Sequence, residues 1–153
     1  MKVDPAAWVN DPTQPWFTDP ALLERWNAIM ALTVAVDFDA TIHPYSQGWT
    51  GPVPEDEAPI EGAFAFLADL KGDGYRVVVF STRANSAEGL KGIWAWIARY
   101  GLDSVVDAVT DQKPAAIAYV DDRAVPYADG NWQECRAQIE RLREGRSHGA
   151  PNA

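Results

Sequence analysis

Residues 32–42 read LTVAVDFDATI, and this stretch decides the fold. Leu32 to Phe38 is a short, valine-rich apolar run that ends in polar residues. A run apolar on both alternations suits a strand covered on both faces, which is the habit of parallel sheets. RVVVFS at 76–81 repeats the pattern, and VVDAV (105–109) and IAYVD (117–121) are shorter strand candidates. Helical periods lie between them. PIEGAFAFLADLKGDG predicts a helix over about 60–71 stopped by Gly72 and Gly74. SAEGLKGIWAWIARYG carries Leu90, Ile93, Trp94, Ile97 and Tyr100 at helical spacing, with Gly101 closing it. Asp19 as N-cap and Pro20 at the first helical position open an earlier helix over 19–30, with Leu22, Leu23, Trp26, Ile29 and Met30 on one face. Asn131 is expected to cap a last helix with a seam of Trp132, Cys135, Ile139 and Leu142. Residues 42–58, with Pro44, Gly48, Gly51, Pro52 and Pro54, predict an irregular loop.

Alternating strands and helices predict an α/β class: a Rossmann-like three-layer sandwich with a mostly parallel sheet. The expected organisation is an extended N-terminal arm at 1–18, rich in Pro and Asp, a single catalytic domain over 19–144, and a flexible tail at 145–153. At 153 residues the chain can bury a core without disulfide or metal staples. Its single cysteine, Cys135, excludes an internal disulfide and a multi-cysteine zinc site and fits a reducing compartment. The first residues are interrupted by Pro5, Pro12 and Pro15 and show no apolar leader, and no stretch approaches the ~18 apolar residues of a membrane span, so the expected location is the cytoplasm, without membrane partners. A net charge of −9 disfavours bulk nucleic-acid binding.

In parallel sheets ligands sit beyond the carboxyl ends of the strands. Strand one delivers Asp37, Asp39 and Thr41 there, the second delivers Ser81, Thr82 and Arg83, and the last delivers Asp121 and Asp122, with Lys113 just ahead of it. Side chains at i and i+2 leave a strand on the same side, so Asp37 and Asp39 share a face. Adding Asp121 or Asp122 makes a cluster of like charge that calls for a cation. Oxygen ligands without a His or Cys cluster favour Mg²⁺ over zinc. A lysine and hydroxyls can grip phosphoryl oxygens. Taken singly, each of these residues reads as well as a turn, a cap or a solvated surface; their order at three strand ends carries the signal.

VAVDFDATI, FSTR, KP and AYVDD resemble the four motifs of the haloacid dehalogenase-like (HAD) hydrolase superfamily. The resemblance covers roughly residues 32–125, and Asp-x-Asp-x-Thr after an apolar strand is its specific part. It implies Mg²⁺-dependent phosphoryl transfer. Asp37 is then the expected nucleophile forming an aspartyl-phosphate, and Asp39 the acid that protonates the leaving group and afterwards activates water. Ser81 and Lys113 are expected to hold the phosphoryl group, with Thr41, Thr82 and Arg83 as further phosphate-binding candidates. Asp37, Asp121, Asp122 and the backbone carbonyl of Asp39 are the expected metal ligands. The sequence departs from the family at Ala40, where Gly is frequent, and in the short 110–116 connection, which leaves no room for a helix around Lys113.

No stretch is long enough for a lid domain, so no cap is expected. An open site suits a large or protruding phosphate, such as a nucleic-acid end or a phosphoprotein, or needs a second subunit of a homo-oligomer to cover it. A small phosphate ester such as a nucleotide stays an open alternative. The competing readings are a receiver-like phospho-acceptor, which has its acid pair after the first strand and its acceptor mid-chain, and a catalytically idle HAD-like binding domain. His43 is expected on a surface loop, and Trp49 as packing or as a ring able to stack on a base. Arg123 flanks the rim, where it can meet phosphate or neighbouring acids.

Overall fold

The computed structural model describes residues 19–147; the expected arm at 1–18 and residues 148–153 of the expected tail lie outside the described residues. Four strands form one all-parallel sheet in the order β3-β2-β1-β4: β1 (Thr33–Asp37), β2 (Arg76–Phe80), β3 (Ala108–Thr110) and β4 (Ala118–Val120). β1 lies between β2, with Val36 opposite Val79, and β4, with Val36 opposite Val120. Central position explains its composition: Thr33 to Val36 are all buried, Val34–Val36 are apolar on both alternations, and the one polar side chain, Thr33, donates its hydroxyl to the Ile29 carbonyl at 2.7 Å. The described residues form a small α/β Rossmann-like fold, and no cap domain is found among them.

The two faces of the sheet are covered differently. Val34, Val36, Val77 and Val79 point into the core with Leu67 of α2 (Ala63–Gly72) and Ile93, Trp96 and Ile97 of α3 (Ala87–Arg99). Both helices therefore sit on one face, as right-handed crossovers running outward from β1 to β3 require. Phe80 and Tyr119 point to the opposite face, where their rings meet edge-on at 6.5 Å. The connector from β3 to β4 crosses that side. Tyr119 donates its hydroxyl to the Pro114 carbonyl at 2.6 Å, and the Lys113 ammonium lies 4.7 Å from the Tyr119 ring centroid. A few residues without helix make this crossover, and they leave the β4 side open, with Ile117 and Tyr119 exposed.

Several expected boundaries and faces shift. Trp94 is 36% exposed, and Trp96 takes the expected inward place. A buried indole needs an acceptor for its N–H, and the long loop supplies one in the Glu57 carbonyl at 2.8 Å. Val105 and Val106 belong to a turn on the Leu102 carbonyl rather than to a strand. Strand β3 starts late because the Asp107 carboxylate takes the Val77 N–H at 2.7 Å and is held by Lys71. Helix α1 (Pro20–Ala31) has the expected Asp19 cap, but none of its residues is buried. In α4 (Trp132–Ser147) Trp132 and Ile139 of the expected seam are exposed, and Asn131 turns its side chain back to the Ala128 N–H. No helix among the described residues is long and apolar enough to cross a membrane.

Candidate functional site

From β3 the chain returns past β2 and β1 to place β4 beside β1, which makes the β1–β4 boundary the point where strand order reverses. Crevices beyond the carboxyl ends at such points are the ligand sites of open parallel sheets. Here β1 ends on Asp37, and β4 is followed by Asp121 and Asp122. A cleft of about 310 Å³ opens at this rim. Asp37, Asp39, Ser81, Thr82, Asp111 and Asp121 line it, and Tyr45, Trp49, Phe80 and Arg123 complete its walls. Asp111 was not singled out in the sequence. It reaches the site because β3 runs to Thr110, leaving Asp111 at the strand end.

Local hydrogen bonding sets each group. After β1 the chain turns on the Phe38 carbonyl, which accepts the Ile42 and His43 N–H groups, while Ala40 N–H donates to the His43 carbonyl. That turn puts Ala40 at φ 59°, a left-handed conformation that favours glycine, and brings Asp39 back to the rim. Ser81 is buried, and its hydroxyl oxygen accepts the Arg83 N–H at 3.2 Å, starting a 3-10 turn over Thr82–Asn85. Asp121 accepts the Arg123 N–H at 2.8 Å. Thr41 donates its hydroxyl to Asp37 at 3.5 Å, and it supports the carboxylate rather than lining the cleft.

Carboxylate oxygens of Asp37, Asp121 and Asp122 all lie within 4.8 Å of one another. Burial raises the Asp37 pKa from 3.8 to about 8, helped by the Asp121 charge and by a hydrogen bond with Asp122, against the Phe38 N–H, which lowers it. In the cation-free molecule a proton thus stands at Asp37 where neutralising charge is needed. The donor set is all oxygen, which fits a hard divalent cation. Asp39 is not part of this carboxylate cluster.

Asp39 faces a cation instead. Arg83 is fully buried, and its Nε–H reaches both Asp39 carboxylate oxygens at 3.0 and 2.9 Å. Its Nη1 donates to the Gly51 carbonyl at 2.6 Å, and its guanidinium lies 5.6 Å from the Tyr45 ring centroid and 4.7 Å from that of Trp49. Arg83 therefore ties Asp39 to the long loop. It does not line the cleft, which corrects its expected place as a phosphate contact.

His43 is also corrected, since it is fully buried rather than on the surface. It stacks on Phe38 at 5.3 Å and meets Trp96 edge-on at 5.4 Å. Its Nδ1 accepts the Tyr45 N–H at 3.0 Å, so that nitrogen carries no proton; Nε2 therefore donates to the Glu55 carbonyl at 2.9 Å. The 3.7 Å approach of Nδ1 to Asp39 is for that reason not an ion pair. His43 also lies near the Glu55 and Glu57 carboxylates, but both imidazole nitrogens are committed to the backbone. Lys113 is absent from the cleft lining, its ammonium resting on Tyr119. Arg123 is the cation among the lining residues, 3.9 Å from Asp122.

Comparison with protein-family models, with curated proteins and with solved structures finds no match to this chain. The site's meaning rests on its own chemistry.

Proposed function

We propose that this chain is a Mg²⁺-dependent phosphohydrolase of the HAD type, acting on a phosphate monoester through an aspartyl-phosphate. The observation that carries the reading is the meeting of Asp37, Asp121 and Asp122 within 4.8 Å, beside Ser81 and Thr82 in one cleft. A divalent cation held by these three carboxylates would offset the repulsion between nucleophile and phosphate. The rest of the chemistry belongs to side chains. Asp37, once its proton has left, attacks phosphorus, so that the O–P bond to Asp37 forms as the bond to the leaving oxygen breaks. Asp39 takes up a proton, the one Asp37 releases, and gives it to the leaving oxygen, then takes one from the water that hydrolyses the acyl phosphate. Arg83 fixes the direction of the Asp39 carboxylate.

Ser81 accepts the Arg83 N–H, which leaves its hydroxyl proton for a phosphoryl oxygen. The charge partner of the phosphate in this reading is Arg123, which faces the cleft, rather than Lys113, which rests on Tyr119.

The test is release of inorganic phosphate from nucleotides, sugar phosphates and an aryl phosphate, with Mg²⁺ and with chelator. Metal-dependent release is expected, with Asp37→Asn lowering it by about 10³-fold or more. Arg123→Ala should raise KM several-fold while Lys113→Ala leaves it within about twofold. Hydrolysis by Asp37→Asn at the native rate would overturn the reading. A stable acyl phosphate without turnover would move the chain to a receiver-like switch, and no reaction with any substrate to an idle binding domain.

A further inference from the structure

Phosphate recognition leaves one wall of the cleft unexplained. Among the described residues its lining carries Asp37, Asp39, Asp111 and Asp121 with one cation, Arg123, while Asp39 is already paired with Arg83 behind the lining. A phosphate finds little net attraction there beyond what a bound cation provides, so the remainder of the substrate has to supply affinity. Trp49 is placed for that. It lines the cleft, yet it is 55% exposed. One side of its ring rests on Arg83, whose charge is 4.7 Å from the centroid. Arg83 itself is fully buried and tied to Asp39 and to the Gly51 carbonyl, two residues beyond Trp49. The indole is thus held from behind by a fixed guanidinium, while much of its surface stays open beside the reacting carboxylates. A ring fixed before binding loses little freedom on binding.

We propose that Trp49 is a stacking shelf and that the substrate is a phosphate monoester whose leaving group carries a flat aromatic ring, either a nucleoside or a simple aryl group. The inference rests on the phosphohydrolase reading for its phosphate subsite, and its test does not depend on turnover. A cleft of about 310 Å³ is at the lower end for small-molecule sites, which suits one ring and one phosphate.

The probes are phosphonates, whose C–P bond a phosphatase of this kind does not cleave. Isothermal titration of the full chain with Mg²⁺ compares phenylphosphonate, the 5′-methylenephosphonate of adenosine and propylphosphonate. Stacking of a base on an aromatic side chain predicts that the ring-bearing probes bind about tenfold more tightly than propylphosphonate. Trp49→Ala should abolish that difference, Trp49→Phe should keep most of it, and propylphosphonate should bind all three proteins alike. Preference for the adenosine probe over phenyl assigns a nucleotide; parity assigns aryl phosphates.

Equal binding of ring-bearing and propyl probes by the native chain overturns the shelf without any variant. So does an equal loss for all three probes in Trp49→Ala. Ring-selective binding in a protein that releases no phosphate would leave the shelf standing and remove the phosphatase reading. Hydrolysis without ring selectivity would do the reverse.

Discussion

Ala40 shows how a single position reports on the turn that builds the site. The hydrogen bonds folding Asp39 back to the rim hold Ala40 at φ 59°. An L-residue with a Cβ is strained there by about 1–2 kcal/mol, and glycine relieves this at the cost of a looser unfolded chain. Ala40→Gly should therefore stabilise the protein by about 0.5–1 kcal/mol, read as a higher urea midpoint at unchanged slope. A lower midpoint would mean that the turn does not impose the left-handed conformation. The departure from glycine noted in the sequence thus becomes a measurable strain. Arg83 teaches the opposite lesson. Its place beside Ser81 and Thr82 suggested a phosphate contact, and only the folded chain shows it turned inward against Asp39 and the Gly51 carbonyl.

At the scale of elements, α3 has to meet both the 3-10 turn and the long loop. A Cβ on Gly89 would stand 1.9 Å from the Arg83 carbonyl oxygen, a backbone atom that cannot step aside alone. Alanine is the better helix former by about 1 kcal/mol. Even so, Gly89→Ala should cost about 2–3 kcal/mol, because overpacking must displace the turn that orients Ser81 and Arg83. Gly92→Ala is the control, since its Cβ would meet Pro54 and Val53 at 3.1–3.2 Å, where a small shift suffices. Thermal unfolding of both variants checks the order; a Gly89→Ala protein as stable as Gly92→Ala would contradict it. The same helix explains why the 42–58 loop keeps a fixed path without regular structure. Trp96 donates to the Glu57 carbonyl, and Tyr100, which caps the helix, donates its hydroxyl to Asp56 at 2.7 Å. Apart from the helix, the loop closes on itself where Ile60 N–H donates to the Ile42 carbonyl.

For the whole molecule, the carboxylate cluster couples stability to pH. Asp37 is raised to about 8 in the folded, cation-free protein, chiefly by burial, against 3.8 for an ordinary Asp. Below about pH 4 folded and unfolded chains both hold its proton. As pH rises from 4 to 8 the unfolded chain releases the proton and the folded chain keeps it, so stability from this group is lost across that window. Asp37→Asn has no proton to lose. In chelator it should equal the native protein near pH 4 and exceed it by about 1–2 kcal/mol at pH 8, after discounting for partial exposure. With Mg²⁺ at pH 8 the order should reverse, because the native chain gains a bound cation that the variant holds less well. Melting curves at both pH values decide it: an Asn advantage that is flat or shrinks with rising pH would contradict the assignment.

The sequence by itself determined the parallel sheet, because Val34–Val36 and Val77–Val79 are apolar on both alternations and only a strand covered twice can be so. It also determined which carboxylates and hydroxyls stand at the strand ends, since Asp37 and Ser81 each follow a buried run and Asp121 follows the short, largely exposed strand that ends at Val120. Strand ends are local events, written in local pattern. What only the tertiary structure decided is which of those groups face one another and which are spoken for. The burial of His43, the pairing of Asp39 with Arg83, the choice of Trp96 over Trp94 and the removal of Lys113 to Tyr119 all join residues far apart in the chain or on different elements. Each depends on a partner that periodicity cannot see: a backbone carbonyl in the long loop, an aromatic ring on β4, or a carboxylate one strand away. For His43, Arg83 and Trp96 burial gives the pairing its weight, because a polar group withdrawn from water is costly to leave without a partner.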